Sequence, residues 1–404
     1  MAVGLSASNQ MNDTARFQKG SRIAIDLGAS SGRIILGAAD GTIKETYRFT
    51  TPLLRLEKGI FWDFHVLMDS IVDGLSRLSV QDGPFLSLSC DSWAQDFGLL
   101  DSDGRLLDNP YSYRDTSCGD IHSDARLAWI REKRPELYQQ AERLLHIADL
   151  VHYNLCGVIR SNYSLVGISR LPLNHPLLSP LADCEVIGEV NHDKLPNLNG
   201  VPVISGAGHD TAASYVSASP ESGEAFVSLG TWYMAAAPWT VGKELPDGFG
   251  PLPLPRRKFA RTCGGMGMWS FQQCVNLWKA RGVFHGYDVL TAEAEAVEAP
   301  GELSPQDSAL FSPDNMEEAI WTLLHYKATP AQITKLLFKG LARNLGEAVR
   351  RFNEPFRKVI LAGGPIVNPY LMRLIQEELP CPLICGEREA TAAGNLLVQR
   401  QVLP

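Results

Sequence analysis

Arg22-Ile-Ala-Ile-Asp-Leu-Gly-Ala-Ser-Ser-Gly-Arg33 is the stretch on which the fold turns. Its apolar start has the pattern of a buried strand, and it runs into a turn built from Gly28, Ala29, Ser30, Ser31 and Gly32. A dinucleotide-binding unit would continue with a helix. Here Arg33-Ile-Ile-Leu-Gly-Ala38 is β-type again, closed by Asp40-Gly41, and Thr42 to Phe49 forms a third β run. Asp-Gly between two such runs is a hairpin signal, so the chain is expected to open as an antiparallel meander. Glycines let backbone amides turn towards an anion, and the serine hydroxyls add donors. Asp26, at the strand end, suits a Mg²⁺ ion held through water, since that ion keeps several waters and takes few carboxylates. The competing local reading is a turn whose Asp and Ser satisfy neighbouring amides. No Gly-Lys-Ser/Thr follows, so this is not a Walker loop.

The same outline returns in the second half. Ala225-Phe-Val-Ser-Leu229 meets Gly230-Thr231 and is followed by a β run from Trp232 to Ala237. At 404 residues the chain exceeds what one core usually supports. Two strand–Leu-Gly–strand units predict duplicated α/β domains around a central cleft. The expected division is a loose tail over 1–20, a first domain over 21–210 and a second over 211–404. At that boundary stands Ser205-Gly-Ala-Gly-His-Asp-Thr211, after a β run and before a small-residue helix. Asp210 reads as a helix cap or as a general base, and the two are compatible. A helix N-terminus favours the ionised carboxylate, which is the form that takes a proton from a hydroxyl. His209 reads as a hydroxyl partner or as a structural histidine.

Elsewhere, His65 to Ser79 has helical spacing, and Phe85 to Cys90 is a strand ending at Asp91-Ser-Trp93-Ala94, with Asp96 just beyond. A flat indole and carboxylates at a strand end suit a sugar ring, and Trp62-Asp63 fits the same wall; a buried Trp beside plain turns is the alternative. Residues 120–155 should be mostly helical, while 160–200 and 240–258 read as loops. Thr329, Pro330 and Gln332 make a helix start with a capping box. Lys358 to Ala362 is a strand leading to Gly363-Gly364, where bare backbone, with Asn368 near, suits a flat base or a simple turn. The net charge of −8 argues against nucleic acid or anionic membranes as partners. No apolar run approaches the roughly 20 residues of a membrane span, and the first residues lack a signal-peptide core. Eight cysteines without zinc spacing read as free thiols of a cytoplasmic protein.

Taken together, Ile25 to Arg33, Asp91-Ser-Trp93 with Asp96-Phe97, Tyr113-Arg-Asp115, His209-Asp-Thr211, Gly230-Thr-Trp232, Glu389-Ala-Thr391 and Gly394-Asn395 resemble the FGGY carbohydrate kinases. The likeness is greatest to members acting on L-rhamnulose and spans nearly the whole chain. It implies the two-domain, ribonuclease H-like fold of actin, hexokinase and the heat-shock ATPases. It also implies ATP-dependent phosphorylation of a ketose primary hydroxyl, L-rhamnulose at O1 first, with L-fuculose or xylulose as alternatives. A sugar- or nucleotide-sensing homologue without catalysis is the rival from another class. Position by position, Ala29 to Arg33 matches the first phosphate loop, with Asp26 near Mg²⁺. Ala94, Trp93, His209, Asp210 and Thr211 match the sugar site, with Asp210 as proton acceptor. Thr231 matches a second phosphate contact, and Gln272 and Gly363 match nucleotide contacts. A sugar and ATP are the implied partners of a monomer or homodimer. The chain departs from the pattern at Gly264, where the family carries a sugar-contacting Asn, and at Ala362, where it carries a third glycine. It also looks short near 165–200 and 280–325.

Overall fold

A computed structural model describes residues 20–78, 82–240 and 244–404, so residues 1–19 of the expected tail lie outside the described residues. Strand β1 (Ser21–Leu27) is buried along its full length, as its apolar run requires. Leu27 pairs with Gly32, so the chain reverses tightly and returns antiparallel as β2 (Ser31–Ala38) and then β3 (Ile43–Thr50). β4 (Phe85–Ser92) lies parallel to β1 on the other side, with Asp26 opposite Asp91. β5 (Glu185–Glu189) and β6 (Pro202–Ser205) complete the sheet in the order β5-β6-β4-β1-β2-β3.

The second half repeats this plan. β7 (Glu224–Leu229), β8 (Trp232–Pro238) and β9 (Lys258–Met266) are an antiparallel meander. β10 (Lys358–Ala362) and β11 (Leu383–Cys385) add in parallel on the side of β7, giving the run β9-β8-β7-β10-β11 within a six-stranded sheet. The duplication expected from two strand–Leu-Gly–strand motifs is therefore present in the topology, and the chain is an α/β protein with two sheet-containing units.

Helix α1 (Phe64–Ser76) starts where Asp63 Oδ1 accepts from the Val66 amide and buries Phe64, Leu67, Ile71 and Leu75. α2 (Ile147–Cys156) covers the same core. The segment expected to be loops over 160–200 instead contains the short helix α3 (Tyr163–Ile168) and the edge strand β5. Six helical residues leave no apolar period to read, and tertiary hydrogen bonds hold them. Likewise 240–258 is not all loop, because Gly250–Leu254 is a strand. α4 (Asp210–Ala218) follows β6, and α5 (Trp269–Ala280) follows β9. α6 (Pro330–Arg350) carries the predicted Thr329–Gln332 capping box and buries Ile333, Leu336, Leu337, Leu341 and Leu345 in the second core.

By contacts the units comprise residues up to 217 with 252–259 and 391–404, and 218–251 with 260–390. The expected single cut at 210 thus gains a return: the last helix, α7 (Ala390–Val402), packs with the first unit. Ala392 and Leu396 bury against Ala24 and Ile35, and Gln399 Nε2 donates to the Ile23 carbonyl at 2.9 Å. A Cβ at Gly394 would lie 1.7 Å from the Ala213 carbonyl oxygen, so α4 and α7 approach at a distance only glycine permits.

Candidate active site

Three carboxylates collect where β1, β4 and the β6–α4 loop end. Asp26 is 4 % exposed and ion-paired with Arg33 across the first turn. Asp91, its neighbour in register, is fully buried. Its Oδ2 accepts from Asn395 Nδ2 at 2.6 Å, while its Oδ1 is buried with no hydrogen-bond partner. Burial first, and then the adjacent Asp26 charge, push the Asp91 carboxyl well above the ordinary carboxylate range. Asp210 is the third. Burial raises it from 3.8 to about 6 against the opposing pull of the Thr211 amide and hydroxyl, although a third of its side chain is open to solvent. It is the first residue of α4 and accepts from the next amide, so it is not the N-cap that a lone Asp before a helix suggests.

The loop holding Asp210 continues the strand pairing. The Ser92 amide donates to the Gly208 carbonyl at 2.9 Å, and Ser92 bridges to His209. His209 is 6 % exposed, with Nε2 3.3 Å from Asp210 Oδ1 and Nδ1 buried without a partner. Burial lowers its pKa to about 4, so the ring is neutral at pH 7. Trp93 is 5 % exposed and packs against Trp62, with ring centroids 4.4 Å apart. Both indoles donate to Asp96 Oδ2, at 2.5 Å from Trp62 and 2.8 Å from Trp93. The open stacking face read for Trp93 is therefore absent, and Asp96 is committed to holding the two indoles. Ala94, beside them, is half-buried, and Gln95 takes a positive φ of 80°.

In the first turn, Gly28 N–H donates to the Ser31 carbonyl at 3.0 Å, and Thr51 Oγ1 donates to the Gly28 carbonyl at 2.7 Å. Ser30 is exposed, and a Cβ at Gly32 would strike the Phe49 ring, so Gly32 is fixed by packing. Arg114 lies over the Trp62 ring and donates from Nη2 to the Ala29 carbonyl at 3.1 Å. Arg114 had been legible only as part of Tyr113-Arg-Asp115, with no role attached.

In the second unit, Thr231 Oγ1 meets Gln272 Oε1 at 3.3 Å, which joins two residues expected to serve one nucleotide. Gly363, at φ 112°, would place a Cβ 2.2 Å from the Leu229 carbonyl oxygen, so no side chain fits beside the Gly230 turn. Asn368 caps the following helix and donates to Thr291 Oγ1 at 3.0 Å. Among the described residues no cluster of three or more His, Cys, Asp or Glu is arranged to hold a metal on protein ligands alone. No helix among them is long and apolar enough to cross a membrane.

No protein-family profile matches the chain. Rhamnulokinase from Bacteroides thetaiotaomicron is 27% identical over 441 residues, covering 93% of this chain and 89% of that protein. Rhamnulokinase from Klebsiella pneumoniae is 26% identical over 442 residues, covering 94% and 89%. Among solved structures, a xylulose kinase from Lactobacillus acidophilus superposes with a TM-score of 0.75 at 15% identity, covering 95% of this chain and 89% of that one. Plasmodium falciparum glycerol kinase gives the same TM-score at 14% identity, covering 95% and 90%. Over nearly its whole length the chain is thus similar in sequence to rhamnulokinases, and its fold is the ribonuclease H-like one of the FGGY-type sugar kinases.

Proposed function

We propose that the protein is an ATP-dependent carbohydrate kinase that phosphorylates the primary hydroxyl of a ketose, with L-rhamnulose at O1 as the first candidate. The observation that carries this reading is Asp210. It combines a partly open carboxylate, a helix N-terminus and a proton affinity of about 6, which leaves it ionised at pH 7 yet basic enough to take a hydroxyl proton. The rhamnulokinase relatives supply the substrate class.

In this mechanism the sugar hydroxyl gives its proton to Asp210 as its oxygen attacks the γ-phosphorus of ATP, and ADP leaves. Phosphoryl transfer asks mainly for positioning and charge stabilisation. Neutral His209 orients the acceptor from Asp210's side, and Thr211 and the backbone at Ala94 are proposed to complete the sugar contacts. In the first unit, Ala29, Ser30, Ser31, Gly32 and Arg33 are proposed to meet phosphate. In the second unit, Thr231, Gln272 and Gly363 are proposed nucleotide contacts. A Mg²⁺ ion, which keeps several waters and takes few carboxylates, would fit Asp26 with Asp91 beside it, where the buried Oδ1 of Asp91 has no hydrogen-bond partner. When bound, it neutralises charge on the phosphates.

Gly264 favours a second reading of the substrate. A Cβ there would lie 2.3 Å from Met234 Sδ and 2.8 Å from the Tyr233 carbonyl oxygen, so an asparagine like that of the family is not accommodated. A ketose other than L-rhamnulose, such as L-fuculose or xylulose, is therefore included in the test. That test is ADP release from Mg-ATP across a ketose panel. One ketose should stimulate release strongly. ATP binding with no sugar-stimulated release would replace the kinase with a sensing homologue.

A further inference from the structure

The residues assigned to the sugar lie on two separate segments, 93–96 and 205–211, and a short element that no motif marks ties both in place. Asn162 is 1 % exposed, and every polar group of its side chain is used. Nδ2 donates to Ser205 Oγ and to the Gly206 carbonyl, each at 2.8 Å. Oδ1 accepts from the Ser164 amide at 2.9 Å and from Ser164 Oγ at 2.7 Å. Ser164 Oγ, having donated its proton there, accepts from the His209 amide at 3.1 Å. A Cβ at Gly208 would fall 2.8 Å from Asn162 Cγ, so the loop is pressed onto this amide as closely as backbone allows. The other end of α3 grips the other segment, because Gln95 Nε2 donates to the Ile168 carbonyl at 3.2 Å.

We infer that Asn162 and Ser164 are positioning residues for phosphoryl transfer, holding the loop that presents His209 and Asp210 through an unbroken chain of buried hydrogen bonds. The inference rests on the kinase reading for its catalytic meaning and on the hydrogen bonds alone for its structural one. Both residues are buried, at 1 % and 2 % exposed, and neither is among the proposed sugar or nucleotide contacts. Each acts through the backbone between Ser205 and His209. Placement of a reacting group is sensitive to small displacements, and a shift of about 1 Å can cost on the order of 10²-fold in rate.

The test is Ser164→Ala in the full chain, which breaks the link to the His209 amide but leaves Asn162 on Ser205 and Gly206. Ser164→Thr, which keeps the hydroxyl, is the rescue. Steady-state kinetics on the preferred ketose should show kcat lower by about 10- to 100-fold and sugar KM raised, with ATP KM within about twofold of the parent. The threonine variant should recover most of the loss. A purely structural role would lower both substrates' parameters together or spare both, and either result overturns the inference. Native-state hydrogen exchange supplies a readout independent of activity: Ser164→Ala should lose protection over 206–211 while α6 keeps the parent pattern. Unchanged exchange over 206–211 overturns the strut whatever the activity. A parent protein that phosphorylates no ketose would sink the kinase reading, while exchange still decides the strut.

Discussion

Replacing Asp210 with Asn should cost activity and add stability, and the two effects should part company with pH. In the folded chain burial holds this carboxyl at about 6 against an ordinary 3.8. Keeping it ionised therefore opposes folding. For a fully buried group the difference amounts to roughly 3 kcal/mol. A third of the side chain is open to solvent, so screening leaves about 1–2 kcal/mol. The sign follows from linkage: a raised folded pKa favours the fold below 3.8, and that contribution is lost as pH rises through about 6. Asp210→Asn should thus melt a few degrees above the parent at pH 7.5, with the gain shrinking between pH 6 and 4. At pH 7.5 its turnover should be lower by about 10²- to 10⁴-fold, the usual share of a general base, and this deficit should shrink below about pH 6 as the parent's own base is protonated. Thermal melts by circular dichroism across pH, paired with ADP release, measure both. An inactive variant that melts at or below the parent at pH 7.5 would refute the claim that this carboxylate is held at a cost. Near-normal kcat would remove it from the base role.

Other expectations are shorter. The parent kcat/KM should fall about tenfold per pH unit below about 6, as Asp210 takes up its proton; a limb near 4 would point to an unperturbed carboxylate. Thr231→Ala removes the hydroxyl that meets Gln272 and should raise ATP KM by about 5- to 10-fold, the worth of one hydrogen bond, with sugar KM unchanged. Gly394→Ala should destabilise the first unit by upwards of about 3 kcal/mol in urea titration, because the new methyl meets the Ala213 carbonyl rather than a movable side chain. A melt like the parent's would mean that α4 and α7 can move apart without loss.

Much of this arrangement could be read from residues because it depends on local patterns. Asp40-Gly41 announces a hairpin, Thr329 with Gln332 announces α6, and Leu-Gly after a buried strand announces both turns. The parts that could not be read depend on partners distant in sequence. Trp93 looked like a platform because a tryptophan at a strand end has no local sign of burial; Trp62 and Asp96 bury it. Asn162 and Ser164 lie in six helical residues without period and owe their place to Ser205, Gly206 and His209. The return of α7 to the first unit is likewise set by Gly394, Asn395 and Gln399 meeting Ala213, Asp91 and Ile23, groups far away in sequence.

The duplication itself explains why the acids gather in one unit. In the first sheet Asp26 stands opposite Asp91 at the ends of paired parallel strands, and in the second the matching pair is Ser228 and Ala362. The helix after the last strand of each sheet begins with Asp210 in one case and with Ala390 in the other. Both copies keep a glycine turn after the first strand, but only the first has acids at the paired strand ends before it. Burial raises both the Asp91 and the Asp210 carboxyls, and at Asp91 the neighbouring Asp26 and Asp210 charges add to it, a perturbation of the kind that clusters at functional sites. The second copy has a hydroxyl and a methyl there instead, with no charge to repel the anionic ligand proposed for its turn. One fold, used twice, thus differs in charge at matched positions of the same topology: paired acids at the strand ends of the first copy, a hydroxyl and a methyl at those of the second.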